Sequence, residues 1–293
     1  MEKLVSAVIT TRNRLNLLKR AIDSVLTQTY PYIECIVVSD ASDDGTNEYC
    51  SQRNDIHFIS IPKTESRGGN YARNLGIKAA KGHYVAFLDD DDYWFPDKIK
   101  KQVSLIEKKH CECVYCLRQF EIVKNGKIIK TFLENTNRKI EGNISKKIFR
   151  HSFTQTSCIM ATKNVLEKVG MFDEQVIKMQ EYELLVRIAQ VSEIYYWKGE
   201  PLLAFTADKD DKKRLSYGFN KFPKARKYIK QKHRELIKKS GFLNYLLFYD
   251  WEWTAMFLCA RSEKKWKTLI MYGPYFFISL AVHKIFSINI SNK

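Results

Sequence analysis

Short apolar runs rich in Val and Ile alternate with segments of helical period along the first 95 positions. Leu4 to Ile9, Ile33 to Val38, Ile56 to Ile61 and Tyr84 to Leu88 have the length and composition of strands. Between them, Arg14 to Thr27, Thr46 to Gln52 and Gly69 to Ala80 repeat apolar positions at helical spacing, and Gly82 makes a turn. The strands are apolar throughout rather than alternating, which is the pattern of a parallel sheet covered on both faces. Polar clusters follow three of them: Thr10 to Arg14, Asp40 to Asp44 and Asp89 to Asp92. In such sheets ligands bind beyond the carboxyl ends of the strands, so these clusters should converge on one edge.

The pattern beyond Trp94 is less regular. Pro96 to Lys109 predicts a helix, and Val114 to Ile122 with Lys127 to Phe132 predicts a hairpin around Asn125-Gly126. Ser157 to Met160 predicts a short strand, and Asn164 to Gly170 and Glu181 to Ala189 predict helices. The expected organisation is an α/β domain over 1–205, made of a regular half at 1–95 and a less regular half at 96–205. A basic, mostly helical region follows at 206–293.

Composition changes this picture in two places. The formal charge of the 293 residues is +16, yet from Thr206 onward 19 Lys and Arg face 7 Asp and Glu, so +12 of it lies in the tail. A basic tail on a near-neutral body points to an anionic surface as the tail's partner. Within it, Lys212 to Lys239 carries twelve basic residues and one acid, Glu235, with Tyr217, Phe219, Phe222 and Tyr228 interleaved. The aromatic stretches Phe242 to Leu258 and Thr268 to Val282 follow, each too short in apolar length to span a bilayer. Basic and aromatic segments side by side suit interfacial attachment to anionic lipid, and equally suit packing on the catalytic domain or a second subunit. No nucleic-acid-binding motif accompanies them, so nucleic acid is not an expected partner.

The seven cysteines are scattered as free thiols are in a reducing compartment, and no leader pattern opens the chain. A cytoplasmic protein, peripheral at the inner face of the cell membrane, is expected. Cys111, Cys113 and Cys116 could suggest zinc, but they alternate like a half-buried strand and lack a fourth ligand at finger-like spacing.

Four consecutive aspartates are usually a solvated charge run. Here Tyr84 to Leu88 precedes them and Tyr93-Trp94-Phe95-Pro96 follows, so the carboxylates are held between buried segments. Like charges at this density raise one another's pKa unless a cation sits among them. Oxygen-rich sites of few ligands suit magnesium or manganese bridging a diphosphate. On an extended chain residues i and i+2 point the same way, so Asp89 and Asp91 form the expected metal pair, with Asp91 the direct ligand and Asp90 turned to the ribose.

The chain resembles the GT-A fold, family 2 glycosyltransferases. The likeness rests on Val5 to Arg14, Ser24 to Thr29 with Val38 to Thr46, Gly69 to Gly76 leading through Gly82 to Phe87 to Trp94, and Gly170 to Glu174 with Glu181 to Leu184. The resemblance implies that Thr10 and Arg14 line the base pocket, that Asp40 hydrogen-bonds uracil, that Arg73 lies near the diphosphate, and that Asp89 and Asp90 also contact the UDP-sugar. It implies inversion at the anomeric centre, with Glu181 as general base where Asp is commoner and Glu183 as the alternative. Asp40 could instead cap a turn, and Glu181 could simply complement a helix N-terminus. The implied acceptor is a glycan or lipid-linked glycan of bacterial surface polysaccharide synthesis. A nucleotidyltransferase would want a Gly-rich loop after the first strand, where this chain has Thr10-Thr11-Arg12-Asn13. A non-catalytic nucleic-acid or lipid-binding protein would have no use for ordered acids at three strand ends.

Overall fold

A computed structural model describes residues 3–208 and 221–262, together with 266, 267, 269–271, 273 and 274. The described residues divide into two compact units, one of Met1–Ile144, Phe153–Gln175 and Gln180–Lys212, the other of Ser145–Ser152, Val176–Met179 and Lys213–Lys293.

The first unit is α/β. It opens with β1 (Val5–Thr11), α1 (Leu15–Leu26), β2 (Ile33–Asp40), α2 (Thr46–Ser51), β3 (His57–Ile61), α3 (Gly69–Ala79) and β4 (Tyr84–Asp89). It continues through β5 (Tyr93–Trp94), α4 (Lys98–Lys109), β6 (Cys113–Tyr115), β7 (Arg118–Lys124) and β8 (Lys127–Leu133). The unit closes with β9 (Ile159–Thr162), α5 (Lys163–Lys168), α6 (Gln180–Ile188), β10 (Ile194–Tyr196) and β11 (Leu203–Asp208).

The larger sheet has the order β10-β6-β9-β4-β1-β2-β3. Its β4-β1-β2-β3 part is parallel, and β9 enters antiparallel to both β4 and β6. The apolar runs are its centre: Val5, Ala7, Ile9, Ile36, Val37, Val38, Val85, Ala86 and Phe87 are inaccessible to solvent. Helix α1 buries Leu18, Ala21, Ile22 and Val25 along one stripe. Helix α3 sits so close to β1 that a Cβ on Gly76 would lie 2.3 Å from a Val8 methyl, so glycine there sets the helix-to-sheet distance.

The strand expected from Val114 to Ile122 is two strands in two sheets. β6 pairs through Tyr115 with Ile159, whereas β7 pairs from Arg118 with Leu203 in a smaller sheet of order β5-β11-β7-β8. Cys116 and Leu117 carry the chain across, and because both are buried they hide the break from a periodicity reading. The expected turn at Asn125-Gly126 joins β7 to β8, with both residues at positive φ.

The second unit contains α7 (Lys221–Lys232), α8 (Arg234–Lys239) and α9 (Phe242–Ser262). Phe149 packs on Phe248 of α9, and the buried Arg226 guanidinium lies 3.9 Å from the centre of the same ring. Phe242, Trp266, Ile270 and Met271 expose their side chains. No helix of the described residues is long and apolar enough to cross a membrane. The basic run at 212–220 and most of the stretch 268–282 lie outside the described residues.

Candidate active site

The aspartate run is not an extended segment. β4 ends at Asp89, and the Asp92 N–H donates to the Asp89 carbonyl at 3.1 Å, which closes a turn over Asp90 and Asp91. The strand rule that put Asp89 and Asp91 on one side therefore does not apply. The four carboxylates are divided among Arg73, Arg14 and Ser157 instead. Arg73 of α3 holds Asp89 at 2.6 Å, and Arg14, just ahead of α1, reaches Asp90 at 3.1 Å and Asp91 at 3.3 Å. Asp92 is buried, accepts from the Ser157 hydroxyl at 2.7 Å and from the Thr206 N–H at 3.3 Å. Arg73 and Arg14 thus bring positive charge to three of the four carboxylates.

Burial pushes the Asp90 carboxyl up to about 6, with Arg14 pulling it down and Asp91 pushing it further up. Asp92 is raised well above the usual range by complete burial and by Asp91 and Asp89. Arg20 of α1 steadies the turn from the other side, donating to the Asp91 carbonyl at 2.8 Å and to the Thr206 hydroxyl at 3.1 Å. Ser157, Arg20 and Thr206 were not foreseen. Their partners lie far along the chain, so no local pattern announces them.

The strand ends do converge. Thr10 stands in the ladder between Val38 and Asp89, and the buried Thr11 beside it donates to Asp90 at 2.8 Å. The loops after β1 and β2 are laced together: the Asp43 N–H donates to the Asn13 side-chain oxygen at 2.7 Å and the Leu15 N–H to Asp44 at 3.0 Å. Asp40, the last residue of β2, is buried. Its Oδ1 has no hydrogen-bond donor among the described residues, and its Oδ2 is 3.9 Å from Arg12. A buried carboxylate oxygen left without a donor costs free energy unless something supplies one.

Helices α3 and α6 carry the two remaining expected residues, Arg73 and Glu181. Asn74 exchanges hydrogen bonds with the Phe172 backbone at 2.9 Å each way, and Asn70 donates to the Asp173 carbonyl at 2.8 Å, which locks the block at 69–76 onto that at 170–174. Glu181 lies in the first turn of α6. Its pKa is raised, first by burial, with Arg73 pulling down and Asp89 pushing up, so those three charges act on one another. Glu183 is fully buried and tied to Arg187 at 2.6 Å, whose guanidinium also caps the Val169 carbonyl. That contact engages the Glu183 carboxylate with its own helix.

The family model described as glycosyl transferase family 2 matches residues 6–170. An uncharacterized glycosyltransferase of Rickettsia typhi is 31% identical over 195 residues, spanning 66% of this chain and 61% of its own length. The UDP-Glc:alpha-D-GlcNAc-diphosphoundecaprenol beta-1,3-glucosyltransferase WfaP of Escherichia coli is 39% identical over 105 residues, 36% of this chain and 42% of that protein. The match thus covers about three fifths of the rickettsial relative and less of the other. The crystal structure of S. aureus TarS 1-349 in complex with UDP-GlcNAc shares the fold, with a TM-score of 0.64 at 18% identity over 85% of this chain and 71% of that one.

Proposed function

This chain belongs to glycosyl transferase family 2, and from that premise we propose that it transfers a sugar from a UDP-sugar to a hydroxyl of a lipid-linked glycan, with inversion at the anomeric centre. The observation that carries the proposal is one sheet edge bearing both a buried, donorless oxygen on Asp40 and the arginine-held turn Asp89 to Asp91; the Arg73 and Asp89 charges also act on Glu181.

In this reading Asp40 Oδ1 accepts the ring N–H of uracil, which supplies the donor that the carboxylate lacks. Thr10 and Arg14 line the base pocket, Asp90 faces the ribose, and Arg73 neutralises the departing diphosphate. Glu181 removes the proton from the acceptor hydroxyl. Its elevated pKa makes the carboxylate a stronger base for that proton.

A divalent metal fits the donors present. Among the described residues no group of three or more His, Cys, Asp and Glu side chains could hold an ion. One or two carboxylates completed by substrate phosphate are how magnesium is usually held, and Asp89 and Asp91 supply such oxygens. When bound, the metal would act as Lewis acid on the leaving diphosphate. Arg14 is nearer Asp90 than Asp91, so it can keep one carboxylate while the other turns to an ion.

The lipid-linked acceptor is suggested by WfaP, whose name gives a diphosphoundecaprenol-linked sugar as substrate. The exposed Phe242, Trp266, Ile270 and Met271 of the second unit, with the basic α7 and α8, support attachment to an anionic membrane face. A screen of UDP-, GDP- and dTDP-sugars for nucleotide release, with and without manganese, tests the reading. Release from UDP-sugars alone is expected, and release confined to another base would overturn the assignment of Asp40.

A further inference from the structure

Arg118 begins β7 and sits half-buried with its charge only partly answered. Nη2 reaches Glu134 at 2.8 Å, but Nε and Nη1 are buried without a hydrogen-bond acceptor among the described residues. Glu134 is itself shared, since Lys139 contacts it at 2.9 Å, so two cations divide one carboxylate. A surplus cation with unused donors has the chemistry of an anion site awaiting its occupant.

The surroundings are aromatic. The guanidinium lies 4.7 Å from the centre of the Phe120 ring and 5.6 Å from that of Phe205. Phe120 is stacked on Phe132 at 4.9 Å with 5° between the planes, and meets Phe205 edge-on at 5.4 Å. These three rings come from adjacent strands β8, β7 and β11 and form a ladder across one face of the smaller sheet, with Phe132 exposed at its edge. Such a face takes the apolar side of a pyranose. The Arg118 charge also lowers the Glu181 pKa, the smallest of the influences on that acid, after burial, a backbone hydrogen bond, Arg73 and Asp89.

We propose that Arg118 binds the phosphate by which the acceptor sugar is linked to its lipid, while the Phe132-Phe120-Phe205 ladder carries the sugar ring. This inference rests on the glycosyltransferase reading above and adds to it the acceptor's phosphate subsite. Arg118 is then a specificity-determining residue: it tells a phosphate-linked sugar from a neutral glycoside. Nε and Nη1 face different sides of the guanidinium, so a phosphate oxygen takes one of them while Glu134 keeps Nη2.

The test compares two matched probe sets, alkyl diphosphate glycosides of glucose, galactose and their N-acetylamino analogues, and neutral alkyl glycosides of the same sugars. Binding is measured by calorimetry on the full chain preloaded with UDP and manganese. Wild type should bind at least one diphosphate probe more tightly than its neutral counterpart, and Arg118→Gln should weaken that probe by about tenfold or more, the scale of a charge-assisted hydrogen bond, without changing the neutral one. Arg118→Lys should recover part of the loss, and Phe120→Ala should weaken both members of a pair. Equal affinity of wild type for phosphate-bearing and neutral probes overturns the proposal, as does an Arg118→Gln effect that is the same on both sets. Loss of UDP binding in wild type would sink the donor reading instead, and it is measured first. Thermal melts of each variant separate unfolding from a local effect.

Discussion

The Ser157 hydroxyl donates to the Asp92 carboxylate at 2.7 Å and accepts the Asp89 N–H at 3.1 Å, so one side chain from outside the run fixes both ends of the aspartate turn. Ser157→Ala leaves a buried carboxylate and a buried N–H each short of a partner. It should cost about 1 to 3 kcal/mol of stability and weaken UDP binding, because Asp89 to Asp91 lose their anchor. Thermal denaturation and UDP titration check the two effects, and a variant that melts and binds as wild type would remove Ser157 from the site.

Asp91→Asn should abolish the manganese dependence of UDP affinity while leaving the melting temperature close to that of wild type. The residue is held by Arg14 at 3.3 Å and is not part of the buried anchor that Asp92 forms. Calorimetry with and without manganese decides it; unchanged metal-dependent affinity would take Asp91 out of the ion's ligand set.

The two glutamates of α6 should fail differently. Glu181→Gln should keep UDP affinity and lose transfer by at least about a hundredfold, the lower scale for a positioned base. Glu183→Gln breaks a buried ion pair and should destabilise by about 3 kcal/mol, showing as a lower melting temperature. A Glu183→Gln enzyme of normal stability and abolished transfer would reverse the assignment.

Asp90 gives the apo protein a pH dependence of definite sign. Its folded pKa is about 6 against a usual 3.8, so the folded state holds the proton to higher pH than the unfolded state does. Its contribution is therefore present below about pH 4 and lost as pH rises through about 6, by up to about 3 kcal/mol. Relative to Asp90→Asn, wild type should lose melting temperature across that window. A difference that is flat or opposite in sign would mean that Arg14 outweighs burial.

The parallel half was legible because its strands are buried on both faces and their ends carry polar clusters. The run Val5 to Ile9 announced one strand, and the acid Asp40 after Val38 marked the polar end of the next. The turn at Asp89 to Asp92 was visible in identity but not in shape, since strand geometry was extended past the point where Asp92 bonds back to Asp89. β5 has two residues and β11 exists only through pairing with β5 and β7, so neither had a pattern of its own to read. β11 runs to Asp208, past the boundary expected at 205, and Thr206 on it reaches Asp92. Arg118 was passed over because it fell inside a run read as a single strand.

The intact chain should bind anionic vesicles and release them as salt rises, because screening acts on exposed charge. Phe242, Trp266, Ile270 and Met271 should leave a salt-resistant fraction. Co-sedimentation over a salt series measures it, and indifference to anionic vesicles at low salt would assign these residues to protein contacts.

The central claim is that the arginine-held aspartate turn and Glu181 form one site for a UDP-sugar. Nucleotide release from a panel of UDP-sugars, with and without manganese, for wild type, Asp91→Asn and Glu181→Gln in parallel tests it most directly. Wild type should show manganese-dependent release, Asp91→Asn none above background, and Glu181→Gln unchanged UDP affinity with release reduced to background. Wild-type activity that is unaffected by either substitution would contradict it.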